Sequence, residues 1–218
     1  MSLQILVVGA FEPELRPFRA LSLLPNVTLF ECGIGSVTAA AKLGRQLANL
    51  LQQPPASQGA AKDLEIIFVG SCGSCDSTIP LGTIVSANSV NFIDTGIATG
   101  QSFLPSLTSH LSHTASDFLR RAGVLTEEVL SKPFFSTPSI TRDPELARKF
   151  SELTGACFEN LELFGIATVC SEFGLPWSAL SVVTNYTSAD GHQEWTKNFP
   201  SASSACAAKL APLLSRTP

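Results

Sequence analysis

The chain has 218 residues, of which 44% are hydrophobic and 15% are charged, and its formal net charge is −4. This composition excludes a disordered chain, and the scattered Lys and Arg residues argue against a nucleic-acid partner. No apolar run reaches the length of a membrane span, and the N-terminus lacks the pattern of a signal peptide. We therefore expect a cytoplasmic protein that folds as one domain over residues 1–218.

The first half of the chain repeats a short apolar strand followed by a glycine turn. Strands are predicted at residues 3–8, 27–31 and 65–69, and a helix is predicted at 37–51. Glu14 follows the first strand, close to a predicted helix start. Ligands of α/β folds bind at the carboxyl ends of parallel strands, so these turns are candidate binding positions. The chain has no complete GxGxxG or P-loop, which disfavours a dinucleotide or nucleoside-triphosphate fold.

Less regular segments occupy the middle of the chain. Residues 52–62 are predicted to form a surface loop, and residues 83–90 to form a strand. The segment 97–113 is rich in Ser and Thr and is predicted to be a flap, whereas 114–122 is weakly helical. An extended segment follows at 133–141. Asp143 and Pro144 are then typical of a helix cap and a first helical position, and they predict a helix to about residue 153.

Two carboxylates stand at the start of the next predicted helix, which spans 161–173 and ends at Gly174. Glu159 and Glu162 either cap this helix or face a cavity and bind a polyol, and the local sequence leaves both alternatives open. A strand at 177–183 follows, and its carboxyl end presents Asn185 to the same crevice. A last helix is predicted from about residue 201 to 214.

Cysteine and histidine pairs raise the alternative of a metal or redox site. Cys72 and Cys75 form a CxxC pattern, and His110 and His113 form an HxxH pattern. The gap between the pairs does not match zinc-finger spacing, and the CxxC lies in a Gly/Ser turn. We therefore predict no metal and regard most cysteines as small buried hydrophobic residues.

Five short motifs then define a resemblance. They are Gly9-Ala10-Phe11-Glu12-Pro13-Glu14, Gly33-Ile34-Gly35, Gly70-Ser71-Cys72-Gly73, Glu159-Asn160-Leu161-Glu162 and Thr184-Asn185. In this order they resemble the purine nucleoside phosphorylase/nucleosidase superfamily over nearly the whole chain. The nearest branches are the 5′-methylthioadenosine/S-adenosylhomocysteine nucleosidases and, more narrowly, the futalosine hydrolases, whose Glu-Asn-Met-Glu motif is similar to the fourth motif here.

The resemblance implies the fold and the partners. The expected fold is a single α/β domain, a three-layer sandwich in which helices flank a mixed, mainly parallel central sheet. The expected partner is a small-molecule nucleoside, and the expected assembly is a homodimer. No metal or organic cofactor is expected, because hydrogen bonds suffice to stabilise the purine and the ribosyl cation.

The resemblance also implies roles for individual residues. Glu14 matches the acid/base carboxylate that orients the attacking water, and Glu162 matches the carboxylate that binds the ribose hydroxyls. Asn185 matches the position that contacts the purine, and together with Glu14 it forms the expected catalytic pair. The other expected substrate-binding residues are Ser71, Gly73, Ile140, Asn160 and Leu161.

Asn185 is the residue from which the purine base of the substrate is predicted. Adenine-cleaving nucleosidases carry an Asp at the matching position, whereas an amide offers one donor and one acceptor but no titratable proton. An Asn donates to a 6-oxo group and accepts from N7–H, so it favours hypoxanthine or guanine over adenine. The resemblance and this residue together predict the hydrolysis of a 6-oxopurine nucleoside, with futalosine as the leading candidate.

Three departures from the family pattern keep alternatives open. Ser181 stands where many nucleosidases have an Arg, and Leu163 and Phe164 replace a small Gly-Ala pair. His192 follows Asn185 and is expected either to be solvated or to reach the substrate. The alternatives are an adenosine-type nucleosidase, a phosphorylase, and a degenerate family member that binds a nucleoside without cleaving it.

Overall fold

The computed structural model describes residues 3–51, 64–104, 110–112 and 117–215. The predicted loop at 52–62 lies outside these residues, as does His113. All strands within these residues belong to one eight-stranded sheet. The strands are β1 (Gln4–Gly9), β2 (Val27–Glu31), β3 (Leu64–Ser74), β4 (Ile84–Phe92), β5 (His110–Ser112), β6 (Leu130–Ser136), β7 (Phe158–Glu159) and β8 (Trp177–Tyr186). The helices are α1 (Glu12–Leu15), α2 (Ser36–Leu51), α3 (Thr95–Ala98), α4 (Asp117–Arg121), α5 (Pro144–Thr154), α6 (Leu163–Glu172) and α7 (Gly191–Leu210).

The sheet closes on itself like a barrel. Strand β8 pairs with both β3 and β4, and the path from β4 through β6 and β7 leads back to β3. Strands β1 and β2 extend the sheet beyond β3, and β5 pairs with β4. Among the described strands five pairings are parallel and three are antiparallel. The expected mixed, mainly parallel sheet flanked by helices is confirmed, and its closure is an additional feature that the sequence patterns did not predict.

Successive residues of β1 point to two separate cores, because side chains alternate between the faces of a strand. Leu6 and Val8 pack in the core that α2 and α6 cover. Ile5 and Val7 pack in the core that α7 covers. The central strands are therefore buried on both faces, which explains why the predicted strands read as continuous apolar runs.

The cap of α5 confirms the prediction from Asp143 and Pro144. The Asp143 side chain accepts a hydrogen bond from the backbone N–H of Glu145 at 2.9 Å, and Pro144 is the first helical residue. Gly155 ends the helix with a φ of 68°, a conformation that glycine adopts without a steric cost.

Two predicted boundaries were wrong. Helix α7 begins at Gly191 rather than near residue 201, and it continues through Pro200. A proline usually marks a first helical turn, but Pro200 lies inside this helix, and Trp195 and Phe199 on the preceding turns stack with ring centroids 4.8 Å apart. Strand β3 also extends to Ser74 and does not end in a turn at residue 70. Among the described helices none is long and apolar enough to cross a membrane.

Candidate active site

A cavity of about 250 Å³ lies at the carboxyl ends of β1, β3 and β8. Its wall combines three carboxylates with apolar side chains and exposed backbone. The lining residues are Ala10, Phe11, Glu14, Ile34, Ser71, Cys72, Gly73, Ile140, Glu159, Asn160, Leu161, Glu162, Asn185, Gly191, His192 and Trp195. The structure thus brings all eight predicted site residues together in one cavity.

Glu14 projects from the short helix α1 and is almost completely buried. One carboxylate oxygen, Oε1, accepts hydrogen bonds from the backbone N–H of Ser71 at 3.2 Å and from its hydroxyl at 2.7 Å. Burial raises the pKa of Glu14 to about 7, while the bonds from Ser71 lower that pKa and the charge of Glu162 raises it further. A carboxyl group with a pKa near neutrality is suited to proton transfer.

Trp195 fixes the direction of the Ser71 hydroxyl. Its indole Nε1 lies 2.9 Å from Ser71 Oγ, and an indole N–H can only donate. Ser71 Oγ therefore accepts from Trp195 and directs its own proton to Glu14. The sequence patterns assign no role to Trp195, since no spacing rule connects it to Ser71, 124 residues away.

Trp195 also belongs to an aromatic cluster. Its ring stacks on Phe199 and on His192, and it contacts Phe11 at a tilted angle with a centroid distance of 6.0 Å. His192 is exposed and also lines the cavity.

Glu162 occupies the position before α6, but its side chain does not cap the helix. Its Oε1 instead accepts a hydrogen bond from the backbone N–H of Gly35 at 2.9 Å. Gly35 has a φ of 85°, which strongly favours glycine. Burial raises the pKa of Glu162, and the bond from Gly35 opposes that rise. The capping alternative for Glu162 is therefore wrong.

Asn160 provides the cap. Its Oδ1 accepts from the backbone N–H groups of Glu162 and Leu163 at 3.0 and 2.8 Å, and its Nδ2 donates to the Ser71 carbonyl at 3.1 Å. Asn160 thus fixes the start of α6 and joins it to β3. These bonds use both lone pairs of Oδ1, so only one amide N–H remains for the predicted contact with substrate.

Asn185 reaches the cavity because β8 contains a bulge. Cys72 pairs with Val183 and Gly73 pairs with Asn185, so Thr184 is the extra residue that changes the direction of the following side chain. The Asn185 Oδ1 accepts from the Thr184 hydroxyl at 2.9 Å, and Nδ2 donates to the Tyr186 carbonyl at 3.1 Å. A carbonyl only accepts, which fixes the orientation of the amide. One N–H and one lone pair of Asn185 then remain available to a ligand.

Glu159, expected to be structural, both stabilises a loop and lines the cavity. Its Oε1 accepts from the hydroxyls of Thr137 and Thr141 and from the Thr141 backbone N–H. Burial raises the pKa of Glu159, and the two threonines oppose that rise. Among the described residues no cation pairs with this carboxylate.

The substituted residues Ser181, Leu163 and Phe164 lie away from the cavity wall. Ser181 is fully buried within β8, and its hydroxyl finds no hydrogen-bond partner among the described residues. Leu163 is buried in the core, and Phe164 packs against Phe92 with a centroid distance of 5.4 Å. The bulky pair therefore does not line the cavity in this structure.

The cysteines give no sign of a metal centre. Cys72 is buried and Cys75 is half-buried, and burial raises the pKa of both thiols. Within the described ranges no group of three or more His, Cys, Asp or Glu residues is arranged to hold a metal ion.

A sequence profile of the phosphorylase superfamily matches residues 5–217. The chain belongs to the phosphorylase superfamily. None of the curated proteins matches it in sequence. Because the profile covers almost the whole chain, the sequence resemblance to this superfamily is confirmed.

Solved structures show the same fold at low sequence identity. Futalosine hydrolase of Helicobacter pylori is 16% identical, with 100% of this chain and 99% of that chain covered and a TM-score of 0.79. A D198N mutant of the H. pylori 5′-methylthioadenosine nucleosidase, with 5′-methylthioadenosine in its active site, is 15% identical, with full coverage of both chains and a TM-score of 0.78. The nucleosidase of Neisseria meningitidis, complexed with methylthio-immucillin-A, is 17% identical, with coverages of 98% and 99% and a TM-score of 0.76.

Proposed function

We propose that this member of the phosphorylase superfamily is an N-ribosyl hydrolase for a 6-oxopurine nucleoside. The observation that carries the proposal is that Asn185 lines the same cavity as Glu14 and Glu162 and keeps one donor and one acceptor uncommitted. The specific substrate proposed is futalosine, which would yield hypoxanthine and dehypoxanthinyl futalosine in menaquinone biosynthesis. Two of the solved structures with this fold are a futalosine hydrolase and a 5′-methylthioadenosine nucleosidase, which is consistent with a nucleosidase.

In the proposed reaction Glu162 binds the ribose. Gly35 holds one of its oxygens, which leaves the other oxygen free to accept from the vicinal hydroxyls. As the bond between C1′ and N9 breaks, its electron pair leaves with the base and positive charge develops on the sugar. The buried carboxylates around the cavity stabilise that charge.

Asn185 stabilises the departing purine. It donates to O6. N7 carries no hydrogen in the nucleoside, so as the electron pair leaves with the base N7 takes a proton from solvent, and Asn185 then accepts a hydrogen bond from N7–H; an amide does not titrate and does not supply that proton. A 6-amino group in place of O6 would set the amide donor against another donor. Leaving such a group unpaired in a buried site costs about 1–3 kcal/mol.

Glu14 is proposed to activate water. Its carboxylate accepts a proton from the water that attacks C1′, and Ser71 holds the carboxylate in place. A phosphorylase needs cationic groups to bind phosphate, and among the described lining residues there is neither Lys nor Arg. This absence in the cavity wall favours water over phosphate as the acceptor.

We further propose that the enzyme is a cytoplasmic homodimer. Ile34 and Ile140 line the cavity, yet 61% and 50% of their surfaces are exposed, and a second copy would cover them. Light scattering across a dilution series tests this point. A monomer with full activity would contradict it.

The base specificity has a direct test. Futalosine, inosine and methylthioadenosine are incubated separately with the protein, and the free base is quantified by liquid chromatography. The proposal predicts release of hypoxanthine from futalosine at a higher kcat/KM than release of adenine from methylthioadenosine. Faster adenine release would contradict the role of Asn185, and the absence of any release would favour a non-catalytic binding protein.

A further inference from the structure

Helices α2 and α6 approach each other very closely where both helices begin. A Cβ atom on Gly165, in the first turn of α6, would lie 2.1 Å from the carbonyl oxygen of Ser36, the first residue of α2. The next two atoms that it would meet, at 2.8 and 2.9 Å, also belong to the Ser36 backbone. Because these are backbone atoms and not the end of a flexible side chain, only glycine fits at this crossing.

Two hydrogen bonds join the same two segments. The Ser36 hydroxyl donates to the Leu161 carbonyl at 2.6 Å, and the Gly35 backbone N–H donates to Glu162 Oε1 at 2.9 Å. Both acceptors lie just before Gly165 in the chain. The close crossing and the two bonds together hold the N-terminal end of α2 against the segment that carries Glu162.

This contact determines the surroundings of the Glu162 carboxylate. The first N–H groups of a helix have no partner within the helix, and the helix dipole makes that end positive. Helix α2 has 16 residues, and the N–H of Gly35, just before its first residue, reaches a carboxylate that is 5% exposed. Burial raises the pKa of Glu162, and the bond from Gly35 lowers it. The position of α2 therefore favours the ionised form of Glu162, which accepts hydrogen bonds from hydroxyl groups.

We propose that Gly165 is a positioning residue for Glu162, because it lets α2 come close enough for the Gly35 N–H to hold the ribose-binding carboxylate. The proposal rests on the ribose role proposed for Glu162 above. A methyl group on Gly165 would have to displace the Ser36 carbonyl by roughly 1 Å to reach an ordinary contact. A shift of that size away from α6 would take the 2.9 Å bond from Gly35 out of hydrogen-bond range.

Gly44 provides a matched control within the same pair of helices. It lies on α2, and a Cβ atom there would be 4.0 Å from Cγ1 of Val169 on α6, which is an ordinary contact. Gly44→Ala therefore adds one methyl group to the same interface without displacing either helix, and alanine has the higher helix propensity.

A general loss of packing is the competing explanation for any defect in Gly165→Ala. Such a loss would weaken the binding of every ligand, whereas displacement of Gly35 affects only ligands that carry a ribose. 9-Deazainosine and 9-deazahypoxanthine separate the two explanations, because they share one base and the carbon–carbon glycosidic bond of the nucleoside is not hydrolysed. Calorimetric titration with both compounds gives a ratio of dissociation constants that isolates the contribution of the ribose.

We expect Gly165→Ala to weaken the binding of 9-deazainosine about tenfold or more and to leave that of 9-deazahypoxanthine within about twofold of the wild type. Gly44→Ala should change neither affinity. In a Glu162→Gln background the effect of Gly165→Ala on the ratio should fall below about threefold, because the charged acceptor through which Gly165 acts is absent. Equal weakening of both ligands, or an undiminished effect in the Glu162→Gln background, would overturn the proposal.

NMR of the ligand-free protein, labelled with ¹⁵N-glycine, tests the displacement without any substrate. A carboxylate acceptor moves an amide proton resonance downfield, so the Gly35 resonance should move upfield in Gly165→Ala and stay in place in Gly44→Ala. If Gly165→Ala does not fold, Ser36→Ala takes its place, since it removes the bond to Leu161 from the same contact. It should shift the ligand ratio in the same direction by a smaller factor, and an unchanged ratio would overturn the proposal.

Failure of this proposal and failure of the proposed function give different results. A Gly35 resonance that moves in Gly165→Ala, in a protein that cleaves no nucleoside, would contradict the hydrolase and support the positioning role. Hydrolysis by the wild type together with an unmoved Gly35 resonance in Gly165→Ala would do the reverse.

Discussion

Ser71 donates two hydrogen bonds to the same oxygen of Glu14, from its backbone N–H at 3.2 Å and from its hydroxyl at 2.7 Å. The pair connects helix α1, which follows β1, with the carboxyl-terminal half of β3. A buried carboxylate is thus held in one orientation at the cavity wall, as a group that activates water requires.

Replacement of this carboxylate should remove turnover but not binding. We expect Glu14→Gln to reduce kcat at least about a hundredfold, because an amide cannot accept the proton of the attacking water. Steady-state kinetics and calorimetric titration with substrate measure the two effects. Glu12→Gln is the matched control, since Glu12 lies on the same helix but forms exposed ion pairs with Arg16 and Arg19. Wild-type kcat in Glu14→Gln would remove Glu14 from the mechanism.

The raised pKa of Glu14 also affects stability. Burial raises its folded pKa to about 7 from a reference value of 4.5, so between these two pH values the folded state binds more protons than the unfolded state. The free energy of unfolding should therefore fall as the pH rises from 4.5 to 7. The loss attributable to Glu14 is at most about 3 to 4 kcal/mol, at 1.36 kcal/mol per pKa unit.

Urea unfolding of the wild type and of Glu14→Gln across this pH range measures the effect. The variant should gain stability relative to the wild type as the pH rises, and subtraction of the two curves removes the contribution of Glu65, whose pKa burial also raises to about 7. Parallel curves would contradict the raised pKa of Glu14.

Trp195 should act as a positioning residue for Ser71. Trp195→Phe keeps an aromatic ring beside Phe199 but removes the indole N–H that orders the Ser71 hydroxyl. We expect a reduction in kcat of about tenfold with a smaller change in KM. The acid limb of the kcat/KM profile should also move to higher pH, because a weaker bond from Ser71 stabilises the Glu14 carboxylate less. A change in protein stability alone, with an unmoved pH profile, would indicate a packing role only.

Asn185 should set the preference for the 6-substituent. An Asp in its place accepts from a 6-amino group and can protonate N7, so Asn185→Asp should raise the ratio of kcat/KM for methylthioadenosine to that for futalosine by about tenfold or more. Competition between the two nucleosides in one reaction measures the ratio directly. An unchanged ratio would show that base selection depends on other residues.

Local patterns predicted much of this fold. The apolar runs of β1, β2 and β8 and the cap at Asp143 agree with the observed elements, because each is determined by neighbouring residues. The short strand β7 carries no periodic pattern, since two residues cannot show one. The closure of the sheet depends on that strand and on the antiparallel pairing of β8 with β4, and both are long-range contacts.

Local patterns likewise predicted one part of the candidate site, whereas another part depends on long-range contacts. The motifs placed Glu14, Ser71, Glu162 and Asn185 at the ends of predicted strands and helices, and the structure brings these residues into one cavity. No local pattern could connect Trp195 to Ser71 across the chain. The orientation of Asn185 likewise depends on a bulge at Thr184 that is visible only in the strand pairing.

The identity of the released sugar tests the central claim most directly. Futalosine is incubated with the protein in phosphate buffer; phosphorus NMR detects any sugar 1-phosphate, a reducing-sugar assay detects free sugar, and chromatography follows hypoxanthine. We predict that hypoxanthine appears together with a free reducing sugar and that no sugar 1-phosphate forms. Formation of a sugar 1-phosphate in proportion to hypoxanthine would contradict hydrolysis and identify the protein as a phosphorylase.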